Sequence, residues 1–185
     1  MAKIMVIRHA EKPNGEQGVG PSGSADKDSL TPTGWKRAEA LVGLFDPPGG
    51  AVRDSLIAKP TALFASAPNA AATSKRPQQT IMPLSDALEI EINLGFGLGD
   101  EVELVKAAKA AAGVVLIAWH HEKIPEIAGL ILGSMDGVPP RWKAKRFDVV
   151  WVFLRGDDGA WTFSQAPELL LPGDSPKPIA ADGAD

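Results

Sequence analysis

The feature that most constrains this chain is the run Ile4-Met5-Val6-Ile7, which halts at the charged pair Arg8-His9 and is followed by Ala10-Glu11-Lys12. A short, partly β-branched apolar run bounded by polar residues reads as a strand buried on both faces. Such strands belong to open α/β sheets, which bind ligands at the carboxyl ends of their strands. Arg8 and His9 stand at that end. A neutral imidazole is a nucleophile near pH 7, and a guanidinium meets phosphate oxygens with a fork of donors. Phosphoryl chemistry is therefore the expectation raised here, against the alternative of a polar pair that merely ends a strand.

Composition narrows the field. The chain has 185 residues, 44% of them hydrophobic, enough for one domain with a sizeable core. That domain is expected over 1–171, with 172–185, rich in Pro, Gly and Asp, as a loosely held tail. A net charge of −4, spread over mixed signs, leaves no nucleic-acid footprint and no membrane-surface patch. The absence of cysteine removes disulfides, thiolate metal sites and cysteine-nucleophile phosphatase chemistry together. There is no signal-peptide pattern and no apolar run of membrane-spanning length, so a cytoplasmic protein is expected.

Along the chain, residues 13–28 read as a long loop. Within it Gly18, Gly20 and Gly23 spell GxGxxG, but Pro21 interrupts the motif, no strand feeds it and no helix follows, so it is not a dinucleotide fingerprint. Thr31 caps a helix that has Pro32 at its first position and Trp35, Ala38, Leu41, Val42 and Phe45 along one face. Thr61 to Ser66 is a second strand. A helix capped by Ser74 begins near Arg76, and Pro83 should kink or shorten it. Glu89 to Leu94 is a short edge strand, and Asp100 to Ala112 is a helix stopped by Gly113. Val114 to Trp119 is a buried strand that ends at His120-His121. After a helix closed by Gly133, Phe147–Leu154 and Ala160–Gln165 form a β-hairpin.

All three histidines thus follow buried strands. If those strands are parallel neighbours, His9 meets one of His120 and His121, since adjacent residues of an extended segment face opposite ways. Arg8 and Arg76 add charge to the same crevice, Arg76 from a helix N-terminus that already favours an anion. A metal site is the competing use of these residues, but HxH and HxxxH spacings are missing, so neither metal nor cofactor is expected.

The stretches Arg8-His9-Ala10-Glu11, Leu30-Thr31-Pro32-Thr33-Gly34 with Arg37-Ala38, Ser66, Arg76-Pro77-Gln78-Gln79-Thr80 and Trp119-His120 recur in the order of one family. Together they resemble the histidine phosphatase (phosphoglycerate mutase-like) superfamily, from the first strand to the helix after His121. The resemblance implies an α/β three-layer sandwich with a central, mainly parallel sheet and helices on both faces, completed here by the C-terminal hairpin. It implies catalysis through a phosphohistidine on His9, with Arg8, Arg76 and His120 binding the phosphate and His120 protonated. Ala10 replaces the family's usual glycine, Ser66 and Arg76 are further apart than is common, and His121-Glu122-Lys123 replaces small residues after His120. The family's proton-donor motif is not recognisable. Asp100 and Glu101 are the nearest candidate acids, with Glu11 and Asp28 as alternatives. The expected activity is hydrolysis of a phosphomonoester, from a small molecule or a phosphoprotein. The alternatives are a phosphotransferase or mutase, and a phosphate-binding module with weakened catalysis. No nucleic-acid or membrane partner is expected, and the oligomeric state is not legible.

Overall fold

The computed structural model describes residues 2–181. Its strands are β1 (Lys3–Arg8), β2 (Ala62–Ala65), β3 (Ile92–Asn93), β4 (Val114–Trp119), β5 (Val149–Arg155) and β6 (Trp161–Pro167). Its helices are α1 (Pro32–Phe45), α2 (Arg76–Leu88), α3 (Glu101–Ala110) and α4 (Ile124–Leu132). The strands form one sheet in the order β3-β2-β4-β1-β5-β6. β1, β2, β3 and β4 pair in parallel, and β5 runs antiparallel to both β1 and β6. This is the expected mainly parallel sheet with a C-terminal hairpin.

Alternation along the strands sorts the core into two layers. Ile4 and Val6 of β1, with Ile117 of β4 and Trp151 of β5, pack against Leu104 of α3 and Ile127 of α4. Met5 and Ile7, with Leu63, Leu116 and Val150, pack against Leu41 of α1 and Ile81 of α2. Both faces of β1 and β4 are therefore covered, which is why these strands are continuous apolar runs rather than alternating ones. Leu41 and Ile81 are wholly buried, and truncating either to Ala would cost on the order of 2–5 kcal/mol. Among the described residues no helix is long and apolar enough to cross a membrane.

Helix ends follow local chemistry. Thr31 caps α1, its hydroxyl accepting from the N–H of Gly34, with Pro32 in the first turn. Gly34 is required for packing: a Cβ there would lie 2.7 Å from the carbonyl of Glu11, where α1 crosses the chain leaving β1. α2 departs from expectation twice. Lys75, not Ser74, holds its cap position, while the Ser74 hydroxyl accepts from the N–H of Arg76. The helix also continues through Pro83 to Leu88. Burial of Ile81 and Leu84 against the sheet outweighs a proline cost of about 3 kcal/mol. The expected helix at 100–112 is shorter, ending at Ala110, and Gly113 at φ +86° turns the chain into β4.

The segment expected to be a loose tail makes specific contacts as far as Ile179. Asp174 accepts from both terminal nitrogens of Arg37 at 3.0 and 2.8 Å. Ile179 is buried in the α3/α4 layer and exchanges two hydrogen bonds with the Gln165 side chain. The last four residues of the tail lie outside the described residues. Composition counts Pro, Gly and Asp but does not register that one aspartate has a buried arginine to answer. That arginine, Arg37, also contacts Glu11 at 2.8 Å and Glu168 at 3.1 Å. Burial pushes the enclosed Glu168 carboxyl up to about 8, with Arg37 opposing and Asp174 and Asp148 adding to the rise.

Candidate active site

Parallel pairing brings the carboxyl ends of β1, β2 and β4 to one sheet edge. Arg8 pairs with Trp119 and Ala65 with Ala118. Past the strands, the His9 N–H donates to the Trp119 carbonyl at 3.0 Å and the Ser66 N–H to the Ala118 carbonyl at 3.2 Å. His9 and His120 therefore leave adjacent strands at the same level. Their rings stand 6.0 Å apart, centroid to centroid, at 73°. The anticipated meeting of His9 with one member of the histidine pair is seen, and the member is His120.

His9 is held in one tautomer. Its Nδ1 lies 2.8 Å from the carbonyl oxygen of Ala10, which can only accept, so Nδ1 carries the hydrogen and Nε2 the lone pair. Burial, then the positive charge of Arg8, hold His9 well below the usual histidine range, with Arg76 and His120 acting in the same direction. The ring is therefore neutral at pH 7 and Nε2 is unprotonated.

Arg8 is buried, with two of its five N–H donors engaged by backbone and three left without a partner. Nη1 donates to the carbonyls of Ala144 at 2.5 Å and Arg146 at 3.2 Å, and the guanidinium lies 3.9 Å from the Phe147 ring centroid. Nε and Nη2 are enclosed and have no partner among the described residues. Burial lowers Arg8 to about 10, which leaves it charged at neutral pH. Arg76, in the first turn of α2, gives one hydrogen bond to the Lys27 carbonyl at 3.1 Å, and its Nε is likewise enclosed and unpartnered. Burial lowers its pKa while Asp28, Asp26 and Glu122 oppose. His120 Nε2 and the Ser66 hydroxyl are likewise enclosed without partners among the described residues, as are Glu11 Oε2, His121 Nδ1 and, in the core, Trp151 Nε1. Buried polar groups are ordinarily satisfied, so the unsatisfied nitrogens of Arg8, Arg76 and His120 set this edge apart from the rest of the described residues.

His120 departs from one expectation. Burial first, then Arg76, lower its pKa, with Glu122 and Glu101 opposing, so the ring is neutral rather than protonated. His121 does not line the cleft that His120 lines, and burial and then Arg8 bring it down to about 4, with Glu122 opposing. Its Nδ1 lies 2.9 Å from Glu122 Oε2 without hydrogen-bond alignment, and with a neutral ring that contact is not an ion pair.

A cleft of about 460 Å³ opens beside these residues, lined in part by Asp28, Ser74, Arg76, His120, Glu122 and Lys123. Neither Asp100 nor Glu101 lines it. The Asp100 carboxylate accepts from the Gly97 N–H. Glu101 is buried, its Oε1 accepting from the Trp119 indole at 3.1 Å and the Gly99 N–H at 3.2 Å. Glu11 is engaged by Arg37. Asp28 does line the cleft, where it accepts from Thr73 at 3.1 Å. The acid missed in the sequence is Glu122, exposed at the cleft and electrostatically coupled to Arg8, Arg76 and His120. The turn closed by the Lys123 N–H on the His120 carbonyl, at 3.0 Å, brings it there. Its spacing of two from His120 was the available signal. Among the described residues no group of three or more His, Asp or Glu side chains is arranged to hold a metal ion.

No family model matches the sequence, and no curated protein matches it. Solved structures do match in fold. A mycobacterial glucosyl-3-phosphoglycerate phosphatase in complex with VO3 aligns with a TM-score of 0.58 at 13% identity, over 88% of this chain and 97% of its own. The protein histidine phosphatase SixA, complexed with tungstate, gives 0.55 at 13% identity over 90% of this chain and 97% of its own. A phosphoserine phosphatase variant from Entamoeba histolytica, in complex with phosphoserine, gives 0.53 at 12% identity over 89% and 95%.

Proposed function

We propose, from the premise that this chain has the histidine phosphatase (phosphoglycerate mutase-like) fold, that it hydrolyses phosphomonoesters through a phosphohistidine on His9. The observation that carries the reading is the conjunction of a neutral His9, with its lone pair on Nε2, and the enclosed, unpartnered nitrogens of Arg8, Arg76 and His120 at the same sheet edge. A guanidinium edge, a second guanidinium and an imidazole N–H suit the three non-bridging oxygens of a phosphoryl group.

In the first step His9 Nε2 attacks phosphorus in line, the P–N bond forms, and the ester P–O bond breaks. Glu122, in its protonated form, gives a proton to the leaving alkoxide oxygen. In the second step water attacks the phosphohistidine, the Glu122 carboxylate takes a proton from it, and the P–N bond breaks to release orthophosphate. A bound dianion favours proton uptake by His120, so this ring becomes a stronger donor only once phosphate is present. Asp100 and Glu101, the acids first expected in the donor role, give way to Glu122 because their carboxylates are engaged elsewhere. Ala71, Thr73 and Glu122 are exposed around the cleft, so water has access, which favours hydrolysis over transfer to an organic acceptor. The open cleft suits a small ester or a phosphorylated protein side chain.

The test is turnover of p-nitrophenyl phosphate by the purified chain and its His9→Ala variant, with rapid quench after mixing with labelled substrate. We expect turnover only with His9 present, and acid-labile, base-stable phosphate trapped on His9. Equal turnover by the two proteins would overturn the reading.

A further inference from the structure

Arg8 and His9 are consecutive, yet both are linked to one short stretch far along the chain. From Arg8 the route runs through the turn before β5. The two carbonyls that take Nη1 belong to Ala144 and Arg146. That turn is pinned by the Arg146 side chain, whose Nε donates to Asp148 at 2.5 Å and whose Nη2 donates to the Lys177 carbonyl at 2.8 Å. Asp148 in turn accepts from the Ser175 N–H at 2.6 Å. From His9 the route runs through Glu11, held by Arg37, which is held by Asp174. Residues 174–177 thus bind both the turn that grips Arg8 and the arginine that grips the loop after His9.

We propose that the segment 174–177 is a strap that positions Arg8 and His9 for oxyanion binding, with Arg146 and Asp148 as positioning residues. The inference rests on the phosphatase reading above. Its physical basis is the geometry of the guanidinium. With Nη1 occupied by two carbonyls, the Nε and Nη2 hydrogens form one free edge, the fork that grips two oxygens of a phosphoryl group at once. That edge points usefully only while the carbonyls stay where they are. Ala144 and Lys145 are solvent-exposed, so core packing does not hold the turn at those positions. What holds it from within is the Arg146 N–H on the Lys143 carbonyl at 3.0 Å and the Trp142 indole on the Arg146 carbonyl at 2.9 Å, and from outside the Arg146 side chain on Asp148 and the strap. Loss of a 1 Å placement in a binding group is enough to weaken transition-state contacts severely.

The experiment compares the full chain with Arg146→Ala and Ser175→Pro. The second deletes the backbone donor to Asp148 and leaves the Arg146 and Asp148 side chains in place. Three quantities are read: the Arg8 Nε–H signal by 15N NMR, the Kd for orthovanadate, and the melting temperature. The expected result is a broadened, fast-exchanging Arg8 signal and a vanadate Kd raised tenfold or more for Arg146→Ala, with a smaller change in the same direction for Ser175→Pro. KM for p-nitrophenyl phosphate should rise with it. A clamp that serves stability alone would lower the melting temperature while leaving the Arg8 signal and the vanadate Kd within twofold of the parent, and that outcome overturns the proposal. Should Arg146→Ala fail to fold, Ser175→Pro decides by the same two readings. A parent protein that neither binds vanadate nor turns over substrate would overturn the phosphatase reading, while the Arg8 signal would still decide whether the strap orients the guanidinium.

Discussion

The backbone N–H of Ala10 donates to the hydroxyl of Thr80 at 2.8 Å, and the same hydroxyl donates to the carbonyl of Arg76 at 2.7 Å. One side chain therefore joins the loop that carries His9 to the helical turn that carries Arg76. Thr80→Val, close to isosteric, leaves the buried Ala10 N–H unsatisfied, so we expect a loss of about 1–3 kcal/mol in urea denaturation together with reduced kcat/KM. Thr80→Ser keeps the hydroxyl and should retain most of the activity. A valine variant indistinguishable from the parent in both measurements would dissolve this link.

The buried, charge-flanked environment of His9 makes a statement about pH. Its folded pKa lies well below 6.5, so the imidazole should show no titration between pH 8 and 6.5 in histidine NMR spectra. The acid limb of kcat/KM that belongs to it should fall below that range. The stability consequence has the same origin: below pH 6.5 the unfolded chain binds protons that native His9, His120 and His121 resist, so stability declines as pH falls through that region. A His9 resonance titrating with a midpoint at 6.5 or above would contradict the neutral-nucleophile assignment.

Removing one donor to the developing charge should be costly to rate. Arg76→Ala is expected to lower kcat/KM for p-nitrophenyl phosphate by about 10² or more, since a preorganised donor of this kind contributes on that scale. A reduction of no more than about twofold would take Arg76 out of the phosphate site.

The acid assignment separates substrates by leaving group. Glu122→Gln should depress turnover of an alkyl phosphate, whose alkoxide needs a proton, far more than that of p-nitrophenyl phosphate, whose phenolate leaves unaided. Parallel losses on both substrates would return the donor role to another acid, with Asp28, already at the cleft, next to be replaced.

Glu168 gives a prediction about stability alone. Its folded pKa of about 8 stands above the ordinary 4.5, so between those values the native state holds a proton that the unfolded state has released. By linkage this group lowers stability as pH rises from 4.5 toward 8. Glu168→Gln, which mimics the protonated acid, should lose less stability than the parent between pH 6 and 8.5 in denaturant titrations. Identical slopes for the two proteins would show that Glu168 is ionised throughout.

Much of this arrangement is legible in the sequence because it is local. The runs before Arg8 and before His120 announce buried strands, and Thr31-Pro32 announces a helix start. Convergence of His9 with His120 follows once the two strands are parallel neighbours. What escaped is what distant backbone does. The carbonyls of Ala144 and Arg146, more than 130 residues from Arg8, leave no side-chain signature. Glu122 looked like part of a rim until the turn after β4 set it over the cleft. Pro83 reads locally as a kink or a shortening, and the helix runs past it to Leu88 because packing outweighs the local rule.

The reversed direction of β5 has a broader consequence. In an all-parallel sheet, the chain beside the tip of β1 would be departing from a strand, and its neighbours would be loops already committed to helices. Here it is arriving, so residues 143–148 reach the same rim as His9 on their way into the sheet. The linker between α4 and β5 thus ends in residues moored beside the tip of β1, with Val138 and Trp142 anchoring its earlier part in the core. Changes there would shift the carbonyls that hold Arg8 without touching any strand tip, which makes this linker the place where the setting of that guanidinium can be altered independently of the sheet.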